Sequence, residues 1–545
     1  MCKKFSLSAL SAASVGMAMT AVLMSAPTFA QQKFVPMEAL AVAHAQKLAS
    51  EQVVRFGVAF NDIATLDPHV SVGTSETPIV MEVFEGLVEF PPGDMNGDKL
   101  VPGLAERWEA SVDKKQWTFY LRRGVQWHKG FGEFTATDVK FSIERVMSKE
   151  FGSPFRQTLQ NIERVDIINP YKVGIVLKQP DPAFMQLMVA YQAGYMMSKK
   201  ALEGKQDPKL SPIGTGPFVM GEYKPRESVT LVRNDSYWRG KPIVERIVYQ
   251  FMTEASTREL ALKSGEVSAI GIQAKQDIVD RLRKGGFMVD LTAPANTFTL
   301  YLNTIKKPLD DVRVRRALAH ATNRDNLIEF LGKDLAKPEF SALPIGYTGH
   351  IDSIAKYPYD LARAKALLKE AGLPNGFSMS INMSNSNIYL PPLQVIQEQW
   401  KKIGVNIELK VVDHPTYHRL IRQDANPVVL YGAFRYPMTG QEYFDQFYAG
   451  PASIGKSTAV TNFMHYGDTM PGVDDLLAKA SYNPNGAEQL RLWGEVQKRV
   501  ARDAVSIPLY TQYYAMARSK DLDLGFVQKS FTFYRITEKS RLLAR

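Results

Sequence analysis

The sequence, 545 residues long, predicts a multi-lobed protein of the α/β class. Three observations lead there. In the second half, predicted strands and helices alternate at the spacing of βαβ units, which require a parallel sheet. In the first half, alternating apolar and polar residues recur in hairpin-like pairs. The chain is also too long for one ordinary domain, and 45% apolar with 22% charged residues suits large buried cores.

The elements follow in order. VVRFGVAF (Val53 to Phe60) reads as a buried strand, followed by the loop NDIATLDPHVSVGTSETP. IVMEVFEGLVEF reads as a helix passing into a strand. WTFYLRRGVQW alternates like a hairpin with Arg122, Arg123 and Gly124 near its turn. TATDVKFSIERVM has a helix start in which Thr135 caps and Asp138, three residues on, returns the hydrogen bond. VDIINPYKVGIVLKQ and YKPRESVTLVRND read as two further hairpins. DDVRVRRALAHATNRDNLIEFLG is helical, as is YDLARAKALLKEAG, with Asp360 as cap and Gly372 as stop. FSMSINMS, PPLQVIQEQWKKIG and VNIELKVVD then form a strand–helix–strand unit.

The N-terminus has its own signature. Lys3 and Lys4 precede an uncharged apolar run from Phe5 to Met24, and PTFAQQ places small Thr28 and Ala30 before a cut. Residues 1–30 are expected to be a cleavable signal peptide, and residues 31–50 a leader arm. Cys2 is the only cysteine and does not sit at the cleavage site, so neither a lipid anchor nor a disulfide is expected.

The net charge of +10 is spread along the chain. Its densest cluster, Arg313, Arg315 and Arg316, is expected on a solvated helix face. No nucleic-acid partner is expected, because no recognisable binding fold accompanies it.

Several motifs can be weighed by their context. Gly450 to Ser457 match the phosphate-loop pattern G-x-x-x-x-G-K-[ST]. A working loop follows a strand and opens a helix, whereas here a helical stretch precedes it and Gly467, Pro471 and Gly472 follow. Nucleotide binding is therefore not expected. SPIGTGPFVM resembles the start of a dinucleotide fingerprint, but Pro217 and the alternation after it signal turn and strand. His414 and His418 lie four apart, which on a helix puts both rings on one face beside Asp413. Without a third histidine nearby they read as solvated helix-start residues, and no metal or cofactor is expected. No nucleophile elbow or zinc motif supports a secreted hydrolase, so no catalytic residue is assigned.

Taken together and in order, many segments resemble one family. They include LDPHV (Leu66 to Val70), LVPGLAERWEAS, WTFYLRRGVQWHKG, FTATDVKFSIERV, PIGTGPF with VRNDSYWRGKP, LYLNTIKKPLDDVRVRRALAHATNR, QEQWKKIGVNIEL, NFMHYGD and VSIPLY. The chain resembles the periplasmic solute-binding proteins of ABC importers, in the peptide, dipeptide and nickel family. The resemblance implies a two-lobed periplasmic-binding-protein fold of type II, cluster C, with a hinge and an extra third domain. It implies a discontinuous base lobe at residues 51–90, 204–298 and 505–545, an extra domain at 91–203 and a second lobe at 299–504. It further implies a periplasmic, non-enzymatic monomer that captures a small molecule or peptide and delivers it to permease subunits. A sensor of the same fold is the related alternative. Opines, oligosaccharides and metal chelates are the alternative ligands to peptide.

Peptide-binding relatives hold the ligand's ammonium with an aspartate in a stretch matched here by LYGAFRYPMTGQEYF. No acid lies between Tyr431 and Pro437, where Arg435 and Tyr436 stand instead. In the cleft, Arg435 would hold an anionic group by forked hydrogen bonds and repel an ammonium. Alternatively, it pairs with a protein carboxylate such as Glu442. Tyr431 and Tyr436 either line the cleft or belong to the core. The loop after the first strand offers Ser71, Thr74 and Glu76, with Glu76 a candidate amine contact.

Overall fold

The computed structural model describes residues 47–544, apart from 72–74, 96, 182–183, 189–190, 293–295, 436–437, 458–460, 471 and 531–533. The expected signal peptide, Cys2, most of the leader arm, Thr74 and Tyr436 lie outside the described residues.

A mixed seven-stranded sheet is built from both ends of the described chain. Val53–Val58 lies inside it, parallel to Arg246–Phe251 on one side and to Ala269–Ile272 on the other. Ser228–Arg233 and Phe218–Lys224 extend it antiparallel beyond Arg246–Phe251, forming one of the expected hairpins. Tyr514–Arg518 and Met288–Thr292 complete the other side. The helix Thr77–Val83 packs beneath, and here the PIGTGP turn explains its glycines. A Cβ on Gly214 would fall 1.8 Å from the Val83 carbonyl oxygen, so only glycine permits this approach.

A four-stranded antiparallel sheet carries a separate core. Its order is Ala105–Ala110, Gln116–Leu121, Lys172–Leu177, Ile162–Asn169. The expected hairpin at WTFYLRRGVQW is corrected. Gln116–Leu121 pairs with Ala105–Ala110 and Lys172–Leu177, while Gln126 bridges only to Glu133. As an interior strand it must satisfy backbone donors and acceptors on both edges, and those two edges are taken by Ala105–Ala110 and Lys172–Leu177. The helix Ala136–Met147 covers the sheet and begins with the expected capping box, in which Thr135 N–H donates to the Asp138 carboxylate at 3.0 Å.

A second four-stranded sheet runs Ala336–Pro338, Ser506–Gln512, Thr297–Leu302, Val428–Ala433. Beside it, Phe377–Ser384 and Val405–Val412 pair in parallel across the helix Leu390–Lys401, as the expected βαβ unit. Trp400 anchors that helix in the core, and its indole N–H donates to Thr322 Oγ1 at 3.0 Å.

The arginine cluster departs from expectation. Arg313 and Arg316 are on the outside, but Arg315 is only 1% exposed. Its guanidinium donates to the carbonyls of Leu309, Asp310 and Asp503. A cation there satisfies carbonyls at the end of the helix Gly486–Asp503, which the helix itself leaves without donors.

The phosphate-loop lookalike also has a structural explanation. It follows the helix Gly440–Phe447 and makes one short 3-10 turn at Gly450–Ala452. The Lys456 ammonium donates back to Gly450 O at 2.9 Å and pairs with Asp468. Among the described residues, no helix begins between Ala452 and Val473 to hold an anion as a phosphate loop would.

Candidate functional site: a cavity at the strand crossings

Two strand pairs carry the chain between the seven-stranded sheet and the sheet containing Thr297–Leu302. Met288–Thr292 leads into Thr297–Leu302, and Ser506–Gln512 leads into Tyr514–Arg518 through Tyr513 alone. The crossings are tied together where Gln512 N–H donates to Asn296 O at 2.9 Å.

Beside them is a cavity of about 1100 Å³. Tyr510, Gln512, Tyr513 and Tyr514 contribute the crossing itself. The seven-stranded sheet supplies Ile272 through Asp277, the end of a strand and the start of the helix Gln276–Lys284. The facing wall comes from the end of the helix Arg324–Leu331 with Gly332 to Asp334, from Asn387 and Ile388, and from Phe434. Phe330 and Ile388 are large apolar side chains left 53% and 42% exposed here. Exposed apolar groups gathered in a concavity mark a binding surface rather than a folding residue. Lys275, Lys333, Asp277, Glu329 and Asp334 add charge of both signs. One ion pair already spans the walls, from Arg283 to Asp334 at 3.7 Å.

A second crevice of about 480 Å³ lies between residues 157–181 and the helix Gly440–Phe447. Glu442 and Asp445 line it, opposite Lys178 and Asp181. Burial pushes the Glu442 carboxyl up to about 7, with Asp445 adding to the shift and Gln446 and Arg435 opposing it. Asp445 is exposed at the edge of this crevice, where Gln441 donates to its carboxylate at 2.7 Å.

Arg435 stands between the two concavities in sequence, next to Phe434 of one and seven residues before Glu442 of the other. Its backbone is held by Tyr347, whose hydroxyl accepts from Arg435 N–H at 2.7 Å and donates to Arg435 O at 3.1 Å. Its guanidinium donates to Gln446 Oε1 and to Phe434 O, and lies 4.9 Å over the Phe447 ring. Gln446 in turn donates to Glu442. A direct pair with Glu442 is not formed. Among the described residues, no carboxylate lies within ion-pair distance of Arg435. Its hydrogen-bond partners are neutral, and it is not among the residues lining either concavity.

The other sequence candidates are placed differently. Tyr431 is 8% exposed and ringed by His418, Phe447 and Phe463. Glu76 is buried, and its two carboxylate oxygens accept from Ala64 N–H and Ser75 O–H at 2.7 and 2.9 Å, within its own loop. Ser71 is buried too, and among the described residues its hydroxyl has no hydrogen-bond partner. The cavity residues Phe330, Ile388 and Tyr513 were not singled out by sequence. The available signal was Phe330 on the polar side of an amphipathic helix, close to the stop at Gly332.

Comparison with known proteins agrees with this architecture. The profile of "Bacterial extracellular solute-binding proteins, family 5 Middle" matches residues 99–455. The dipeptide-binding protein of Escherichia coli K12 is 29% identical over 457 residues, covering 78% of this chain and 83% of its own. Heme-binding protein A of Haemophilus influenzae is 28% identical, covering 85% and 87%. The solved structure of MoaA from A. tumefaciens R10, in complex with mannopinic acid, is 34% identical with a TM-score of 0.75 and covers 91% of this chain and all of its own. The fold is the two-lobed α/β fold of periplasmic binding proteins, and the chain belongs to family 5 of the bacterial extracellular solute-binding proteins.

Proposed function

We propose that this protein is the substrate-binding component of an ABC importer. It captures a small solute in the cavity beside the strand crossings and presents it to membrane permease subunits. The observation that carries the reading is the cavity itself, whose walls come from both crossing sheets and whose base is the crossing. A rotation at Asn296 and at Tyr513 would close the walls on a ligand, since a few connecting residues can absorb such a change. The ligand drives closure only by its greater affinity for the closed form.

The three largest hydrophobic cores support a division into a base lobe, an extra domain and a second lobe, with crossings near Asn296 and Tyr513. Export through residues 1–30 to the periplasm fits the sequence. Among the described residues, no helix is long and apolar enough to cross a membrane. The family's members are binding proteins rather than enzymes, and we extend that to this chain.

For the ligand, we infer a solute with a carboxylate or phosphate group that Arg435 holds. Its position replaces an ammonium-binding acid, and its present partners are neutral. A peptide offers its C-terminal carboxylate. An opine-like acid is a second reading, favoured by the 34% identity to a protein solved with mannopinic acid. Native mass spectrometry of protein purified without denaturation should reveal a bound solute of this class. Added back, it should raise the melting temperature in step with its excess over Kd. Stabilisation by cationic solutes alone, unchanged in Arg435→Ala, would refute the anion assignment.

A further inference from the structure

His414 and His418 do not behave as solvated helix-start residues. The helix His414–Arg422 is capped by Asp413, which accepts from Thr416 N–H at 2.9 Å, and both histidines lie on its packed side. Their Nε2 atoms are 3.1 Å apart, with ring centroids 4.4 Å apart and planes at 86°. Tyr389 packs against both rings, and Tyr417 and Tyr431 flank His418. Both imidazoles are half-buried, so an ion can reach them from one side.

We propose that His414 and His418 form a two-nitrogen site for a borderline transition-metal dication, Cu²⁺ or Ni²⁺, whose remaining positions are filled by water or a small chelating molecule. Two nitrogens at this spacing, each about 2.0–2.1 Å from a metal, subtend about 100° at it. That angle suits neighbouring positions of a tetragonal or octahedral ion better than a closed tetrahedral cage. Imidazole is a fitting donor for both ions. A second ring of contacts holds the first. Ser384 Oγ lies 2.8 Å from His414 Nδ1 and can accept its proton, so His414 Nε2 presents the lone pair that takes the hydrogen bond from His418 Nε2–H, the proton a metal would displace. Ser386 N–H also donates to that oxygen at 3.1 Å, fixing its position. Among the described residues, no group of three or more His, Cys, Asp or Glu gathers as a complete metal centre would require. Two protein donors would leave the remaining coordination positions to water or a chelator. It is separate from the ligand role argued for Arg435.

The test uses the tag-free mature chain and simple Cu²⁺ and Ni²⁺ salts. Calorimetry should show one strong site per chain, and the Cu²⁺ electron paramagnetic resonance spectrum should carry two equatorial nitrogens. His414→Ala and His418→Ala should each weaken binding at least about tenfold and leave one nitrogen in the spectrum. Ser384→Ala should weaken it less, and His320→Ala not at all. Circular dichroism establishes that each variant is folded. His414→Ala removes a first-turn side chain, so it keeps the test alive if His418→Ala does not fold. Failure of both ions to bind, or binding undiminished in the folded histidine variants, overturns the proposal.

Discussion

Arg315 and Arg435 belong to the same half of the chain, and both are removed at least in part from water, yet they are bound in opposite ways. Arg315 is enclosed, and its donors end on carbonyl oxygens from three residues at two chain ends. Four of its five N–H donors are taken up this way. Arg435 has a glutamine, one carbonyl and the face of a phenylalanine. Saturation by backbone carbonyls marks a structural cation, which closes helix ends and cannot be reassigned. Neutral, partial satisfaction is what a cation able to take a ligand would show, the role proposed for Arg435. Residue type and local charge are the same in both cases; only the partners tell them apart.

The contrast can be tested from its strongest consequence downward. Arg315→Met leaves several buried carbonyls without donors. It should cost about 2–4 kcal/mol of stability, read by denaturant unfolding, with ligand affinity intact in the folded fraction. Arg435→Ala should do the reverse. Affinity for an anionic solute, measured by calorimetry, should fall about 10- to 100-fold, while stability shifts by less than about 1 kcal/mol. Equal effects of both variants on stability would break the distinction.

Glu442 sharpens it further. Its carboxyl is raised from an ordinary 4.5 to about 7, so the folded state holds the proton more tightly than the unfolded chain. The associated stability is fully present below about 4.5 and is lost as pH rises through about 7. Glu442→Gln should therefore raise the melting temperature at pH 8 and leave it nearly unchanged at pH 4.5. A variant that gains nothing at pH 8 would mean that Arg435 already neutralises a charged Glu442. Smallest of all, Lys456→Ala should cost less than about 1 kcal/mol, since its pair with Asp468 is partly exposed. It should leave solute affinity unchanged, and no nucleotide should bind to the parent protein by equilibrium dialysis.

Much of the fold could be read from the sequence, because its signals are local. The capping pair Thr135 and Asp138, the cap at Asp360 and the βαβ unit from Phe377 to Val412 each depend on neighbours within a few residues. The hairpin at Trp117 misled because its true partners lie on either side in space, one of them fifty residues downstream. Arg315 misled for a similar reason. Its exposure depends on Asp503, which no helical periodicity can bring near. Toward the proposed site the sequence pointed only to Arg435, through a departure from the family's pattern, and Arg435 is not among the residues lining the cavity. The cavity walls were not, since Phe330, Ile388 and Tyr513 meet only after three separate segments fold together.

The central claim is that the protein holds a dissolved solute between its two crossing sheets and releases it chemically unchanged. The most direct measurement incubates the protein with the solute recovered from it, then determines both stoichiometry and identity by mass spectrometry after dialysis. One molecule per chain, recovered at its original mass after prolonged incubation, is the predicted result. Progressive conversion to a product of different mass, or no saturable binding, would contradict it.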